Sequence, residues 1–255
     1  MNRHVLARPR ALALGALLVL GLSGALQAQT PPADATDPHT LQLPVPGIAP
    51  DGLRVRVLLP PGYDPARPVG YPVLYVLDGQ DDAQVGIRAT LDGLVQDGTV
   101  QPVVLVLVDA PAARLDAFGF SDRAGARSVP APFSGGEVGR SAHAFAEWLT
   151  GTLVPAIEAR YHVRRHPEAR GVLGWSLGGA AAFNLGWQYP EVFATVGAFS
   201  PSFWLSRSGR GDADARERGR IAQGMVNGSQ MRVGARFLFA VGDAEETDDR
   251  DGDGV

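Results

Sequence analysis

Apolar runs of strand length alternate with longer stretches of helical period along most of this chain. "GLRVRVLLP" (52–60) alternates apolar and polar positions as a half-exposed strand does. "YPVLYVLDG" (71–79) and "QPVVLVLVDA" (101–110) are nearly continuous apolar runs, the pattern of strands buried on both faces. Between those two, residues 82–98 carry a helical period. "SAHAFAEWLTGTLVPAIEARYHV" (141–163) puts Phe145, Leu149, Leu153 and Ile157 on one helical face, and Pro155 predicts a kink because proline has no N–H to give the preceding turn. "GVLGW" (171–175) reads as a short buried strand and "LGGAAAFNLGWQY" (177–189) as a helix stopped by Pro190. "FATVGAFS" (193–200) and "ARFLFAVG" (235–242) read as two more strands. Strand alternating with helix at this spacing predicts an α/β fold, a mostly parallel sheet with helices on both faces.

The two ends depart from this pattern. Arg3, Arg8 and Arg10 precede or flank an apolar run over 11–22, and Ala28 stands where a small residue precedes cleavage. That is the order of a signal peptide over residues 1–28, with a mature chain beginning at Gln29. The apolar run falls short of the roughly 20 residues a membrane span needs. The expected location is periplasmic or secreted, with no membrane association after cleavage. Residues 29–50 are rich in proline and predict an extended lead-in rather than a packed element. A single domain over 51–246 follows, since the chain shows neither an internal repeat nor a long linker, and residues 247–255 form an acidic tail. With 45% hydrophobic and 20% charged residues the chain is of globular composition. A net charge of -4 excludes nucleic acid as a general partner, because phosphate binding needs clustered excess Lys and Arg. The absence of cysteine removes disulfides, thiolate metal sites and a cysteine nucleophile.

Candidate chemistry concentrates between the strand at 171–175 and the helix after it, where Gly174-Trp175-Ser176-Leu177-Gly178 spells G-x-S-x-G. In this context the pattern describes a sharp strand-to-helix turn that lifts a serine hydroxyl over the carboxyl end of a sheet, above a helix N-terminus whose free N–H groups favour negative charge. The Leu177 N–H is then one oxyanion donor. The plain alternative is an ordinary turn with a capping serine. A second donor is expected from the loop after an earlier central strand, and "VLYVLDGQ" (73–80) offers the N–H of Gln80 or of Gly79, unless Asp78-Gly79 is simply a turn dipeptide.

"YPVLYVLDGQ", the helix "AFAEWLTGTLVPAIEARYHV", "GWSLGG" and "YPEVFATVGAFSPSFW" occur in an order and spacing that resemble the esterase branch of the α/β-hydrolases. That branch contains the enterochelin esterases, esterase D, feruloyl esterases and mycolyltransferases. The likeness runs over residues 52–246 and is to the enterochelin-esterase-like members in particular. It implies an α/β-hydrolase fold and hydrolysis of a small-molecule carboxylic ester through an acyl-enzyme, with Ser176 as nucleophile and the N–H groups of Leu177 and Gln80 as oxyanion hole. It implies no cofactor. In "FLFAVGDAEE" (237–246) Glu245 matches the acid of the family, with Asp243 and Glu246 as alternatives and a solvated acidic run as the other reading.

The family's base, a histidine beyond the acid, has no counterpart. His4, His39, His143, His162 and His166 all precede Ser176, and only residues 246–255 follow Glu245. Each of the five reads better as a surface or capping residue. The expectation is a chain truncated before its catalytic histidine, with Ser176 poorly activated; the alternative is a non-catalytic hydrolase-like binding protein. In the tail, "DRDGDG" (249–254) places Asp249, Asp251, Asp253 and Gly254 as at the start of an EF-hand loop, either a calcium site or a solvated acidic run. The Arg-rich segment 206–230 reads as a solvated insertion or as a cap that selects substrate through Arg207, Arg210 or Arg220.

Overall fold

The computed structural model describes residues 39–134, 136–208 and 213–242. The chain enters through β1 (Thr40–Val45) and β2 (Ala49–Leu58), an antiparallel pair. β1 corrects the expectation of an unpacked lead-in over 29–50: Leu41 and Val45 are buried in the core, and Leu43 packs against it. The alternation Leu41, Leu43, Val45 was masked by its prolines, and the register shifts between Leu43 and Val45, so Pro44 sits at an edge-strand irregularity, where a missing N–H is tolerated.

β3 (Val73–Leu77) leads through a short 3-10 turn (Gly79–Asp81) into α1 (Asp82–Val85) and α2 (Ile87–Gln96). The single helix expected over 82–98 is two, because Gly86 turns left-handed at φ 70° between them. β4 (Val104–Val108) is buried throughout. α3 (Arg114–Ala117) follows, then two small hairpins, β5 (Phe120–Asp122) with β6 (Arg127–Val129) and β7 (Ala131–Phe133) with β8 (Gly136–Val138). The long helix predicted over 141–163 is α4 (Ala142–Trp148) and α5 (Val154–Arg160) joined by a π-helical segment over Leu149–Leu153. The irregularity falls just ahead of Pro155, whose ring and missing donor disturb the turn before it, and the Thr150 hydroxyl donates to the Ala146 carbonyl at 2.8 Å. β9 (Arg170–Trp175), α6 (Leu177–Gln188), β10 (Thr195–Phe199), α7 (Ala213–Gly219), α8 (Ile221–Asn227) and β11 (Arg236–Ala240) complete the described chain.

The seven long strands form one sheet in the order β1-β2-β4-β3-β9-β10-β11, with β4, β3, β9, β10 and β11 mutually parallel. Each face has its own core. Tyr75, Leu77, Val106, Val172 and Val196 pack with Phe145, Leu149, Leu153 and Ile157 on one side. Val76, Leu105 and Leu107 meet Ile87 and Leu91 of α2 on the other. The α/β class is the one that the sequence pattern predicted, and the fold is the α/β-hydrolase fold that the family resemblance implied. From β3 the chain moves one way to β4 and later returns to β9 on the opposite side. The loops after β3 and β9 therefore diverge at the carboxyl edge, where open α/β sheets hold their sites.

Candidate functional site

Ser176 ends β9 and opens α6 with φ 53° and ψ -125°, a positive-φ conformation that a residue with a Cβ rarely adopts. Its neighbours hold it there. The Ser176 N–H donates to the Phe199 carbonyl at 2.9 Å, and its own carbonyl accepts from Ala180 N–H at 3.1 Å and Ser202 N–H at 3.0 Å. A Cβ at Gly174 would overlap the Gly178 carbonyl, and one at Gly178 would lie 2.5 Å from Asp78 Oδ2, so the turn closes only with glycine at both places. A capping serine has extended φ/ψ and bonds a first-turn N–H through its side chain. Ser176 has neither: its φ is positive, its side chain makes no capping bond, and the residue is exposed above the sheet.

The loop after β3 lies beside it. Val76 pairs with Leu173 at the end of the β3–β9 ladder, and beyond it Asp78 Oδ2 lies 2.5 Å from where a Cβ on Gly178 would stand, so the loop abuts the first turn of α6. Leu177 contributes one of the first N–H groups of α6, which no carbonyl of the helix can satisfy. Asp78 turns left-handed at φ 57° and is 1% exposed, its carboxylate gripped by the Arg114 guanidinium through bonds of 2.6 and 2.7 Å. Gly79 lies so close to Leu107 that an added Cβ would sit 2.8 Å from its carbonyl carbon, and Arg56 donates to the Gly79 carbonyl. Gln80 is exposed, with its Oε1 accepting from Ala110 N–H at 2.8 Å. Burial, and then the Asp78 charge, raise the Asp81 carboxyl above its ordinary range, against a hydrogen bond from the Trp175 side chain. Sequence reasoning missed Asp78, Arg114 and Arg56. Asp78 was visible only as half of a turn dipeptide, and nothing local announces that an arginine 36 residues on will meet it.

The histidines lie elsewhere. His162 Nε2 sits 2.8 Å from the Arg67 carbonyl, and the His162 backbone carbonyl accepts from Tyr71 N–H ahead of β3. The His39 carbonyl accepts from Val57 N–H and its ring is 3.2 Å from the Tyr161 hydroxyl, while His166 pairs with Glu168 at 3.0 Å. These three stand at the amino edge, a strand length of roughly 20 Å from Ser176 at about 3.3 Å per residue. His143 donates its backbone N–H to Ser128 Oγ at 3.0 Å on the β5–β6 hairpin, which leans on the middle of α6 through Ser121 N–H to Asn184 Oδ1 at 2.8 Å. Asp243, Glu245, Glu246, Asp249, Asp251 and Asp253 lie outside the described residues, as do His4 and Arg210. Arg220 pairs with Glu217, and the Asp122 carboxyl is held below its usual range by the Gly125 N–H first and by Arg127, with a small addition from the Arg207 charge. Among the described residues no group of His, Asp and Glu is arranged to hold a metal ion. A cleft of about 550 Å³, lined by Arg114, Leu115, Asp116, Glu137 and Arg140 among others, adjoins the site through Arg114.

Known proteins resemble this chain in sequence and in fold. The protein YbbA of Bacillus subtilis is 30% identical over 155 residues, which is 61% of this chain and 59% of that protein. Among solved structures, a ferulic acid esterase superposes with a TM-score of 0.58 at 21% identity, over 80% of this chain and 78% of its own. An IroE-like serine hydrolase from Shewanella oneidensis gives 0.59 at 18% identity, over 78% and 59%. The enterobactin esterase of Shigella flexneri, solved in the presence of enterobactin, gives 0.54 at 20% identity, over 78% of this chain and 44% of that one. The chain thus spans less than two thirds of YbbA and less than half of the enterobactin esterase, and the structural likenesses show the fold. The family described as "Putative esterase" matches residues 49–251, most of the chain, and to that esterase branch of the α/β-hydrolases the chain belongs.

Proposed function

We propose that this chain is a serine-type carboxylic-ester hydrolase acting on a small-molecule ester through an acyl-enzyme on Ser176. The observation that carries the reading is the Ser176 backbone: a positive φ, three backbone hydrogen bonds to enforce it, and an exposed side chain left out of helix capping. Strain of this kind costs on the order of 1–3 kcal/mol and persists where the surrounding structure enforces it, as at a nucleophile that must stand clear of its sheet. Ser176 Oγ attacks the ester carbonyl, and the N–H groups of Leu177 and Gln80 receive the oxyanion. Glu245, or Asp243 in its place, would orient the base that takes the Ser176 proton, a role for which none of the described histidines is placed. The enterochelin-esterase-like type of substrate is supported by the motifs of residues 71–80 and 174–179 and by the fold shared with an enterobactin esterase. The order of residues 1–28 supports export to the periplasm or beyond.

One observation favours a second reading, a non-catalytic binding protein: three of the four described histidines are held at the amino edge of the sheet, far from Ser176. A fluorophosphonate probe separates the two. Stoichiometric labelling that disappears in Ser176→Ala supports the hydrolase; a folded chain that takes up no label at Ser176 leaves the binding protein.

A further inference from the structure

We propose that Arg56 is a positioning residue for the oxyanion hole: by holding the Gly79 carbonyl it aims the Gln80 N–H toward the oxyanion formed above Ser176. The inference rests on the reading of Ser176 as a nucleophile and adds to it a residue from a strand that carries none of the chemistry.

In a trans peptide the carbonyl of one residue and the N–H of the next point in opposite directions, so fixing the Gly79 carbonyl fixes where the Gln80 N–H points. Two donors fix it, the Arg56 guanidinium and the Asp82 N–H that closes the 3-10 turn. Gly79 itself is buried against Leu107 whereas Gln80 is exposed, so the plane is gripped from the interior at its carbonyl and its N–H is directed away from that grip. Arg56 reaches it from β2, across β4, where it pairs with Leu107, the residue on which Gly79 packs.

The way Arg56 spends its donors separates this role from an ordinary ion pair. Arg114 meets Asp78 with two bonds in the fork geometry natural to arginine and carboxylate. Arg56 has two carboxylates to choose from, yet stands 4.0 Å from Asp109 Oδ1 and 3.9 Å from Asp82 Oδ2, and gives its hydrogen bond to the carbonyl. Asp109 is instead bonded by Arg54 at 2.6 Å. Arg56 Nε and Asp109 Oδ1 are both buried without a hydrogen-bond partner. The two carboxylates keep the guanidinium centred while its NH2 serves Gly79.

The test uses the 255-residue chain with Arg56→Ala, Arg56→Gln and Arg56→Lys, and with Ser176→Ala as control. It reads the second-order rate constant of fluorophosphonate labelling, because the phosphoryl oxygen of that probe occupies the oxyanion position, with p-nitrophenyl acetate hydrolysis for the separate kcat and KM. Removal of a whole oxyanion donor costs about 100–1,000-fold, so mis-aiming one is expected to slow labelling by about 10–100-fold in Arg56→Ala and Arg56→Gln. The loss should lie in kcat with KM within about threefold, Arg56→Lys should fall in between, and millimolar guanidinium should restore part of the Arg56→Ala rate. A merely structural role would reduce the labelled fraction and leave the rate constant of the folded molecules alone. If Arg56→Ala does not fold, Arg56→Lys carries the test, since an ammonium still reaches as a donor but lacks the planar fork. Rate constants within twofold of the parent, with Ser176→Ala unlabelled, overturn the inference and leave the nucleophile standing. No Ser176-dependent labelling in the parent chain overturns the reading of the site and this inference with it.

Discussion

Ser176 pairs an exposed side chain with a backbone that only its surroundings can hold, and the two can be separated by substitution. Ser176→Ala removes the hydroxyl and keeps the Cβ that makes φ 53° unfavourable. Ser176→Gly removes both. Relief of the strain is worth about 1–3 kcal/mol, and the extra freedom glycine gains in the unfolded chain costs about 0.5–1 kcal/mol. Ser176→Gly should therefore be more stable than Ser176→Ala by about 1 kcal/mol in urea denaturation, the reverse of the order inside a helix, where alanine is favoured over glycine. Equal midpoints would mean that the turn is relaxed and that the conformation says nothing about function. At this scale the sequence was informative where chemistry demands a fixed spacing. G-x-S-x-G located the turn, and the overlap of Gly174 and Gly178 with their neighbours accounts for both glycines. It was silent on Asp78, Arg114 and Arg56, whose roles depend on pairings between distant loops and strands that no local pattern encodes.

Elements were legible in proportion to how much apolar surface they bury. β3, β4, β9 and β10 stand out as apolar runs because each is covered on both faces, and their position in the sequence already predicted a parallel sheet. The hairpins β5–β6 and β7–β8 have strands of three residues, too short to display a period. β1 was lost for a different reason: its prolines read as lead-in although three of its residues point to or against the core. β1 can be tested on its own, because a lead-in and a strand respond differently to truncation. Leu41 is 4% exposed, and Leu41→Ala should cost about 2–4 kcal/mol of stability, read from the urea midpoint at unchanged slope. A cost below about 0.5 kcal/mol, typical of surface substitutions, would show that β1 is not part of the cooperative sheet.

Among the described residues, cover declines from the middle of the sheet to one edge, and stability should follow it. β4 is buried at all five positions and β3 at four of five. β11 is buried at none; Leu238 is 61% exposed, and Val241 just beyond the strand is 74% exposed. β11 is nevertheless attached on one face, where Phe237 and Phe239 meet Phe183 and Phe203 of the α6 side with ring centroids 5.6 and 5.7 Å apart. It also pairs with β10 along a parallel ladder from Thr195–Arg236 to Phe199–Ala240, ended by the Arg236 N–H to the Ala194 carbonyl and the Ser200 N–H to the Ala240 carbonyl, each 2.7 Å. Such a strand can open without the rest, since local openings range from near zero up to the global free energy of unfolding. Native-state hydrogen exchange should show the Arg236 amide exchanging on the order of a hundredfold faster than the amides shared by β3 and β4, through a sub-global opening that denaturant barely promotes. The Ser176 amide, bonded to Phe199 one strand further in, should keep the slower class. Equal protection at Arg236 and in β3 would show the edge to be covered in solution. The expected gradient instead sets a rigid nucleophile turn, braced by β9 and β10, beside a strand free to open, so that motion at the edge need not disturb the backbone that presents Ser176.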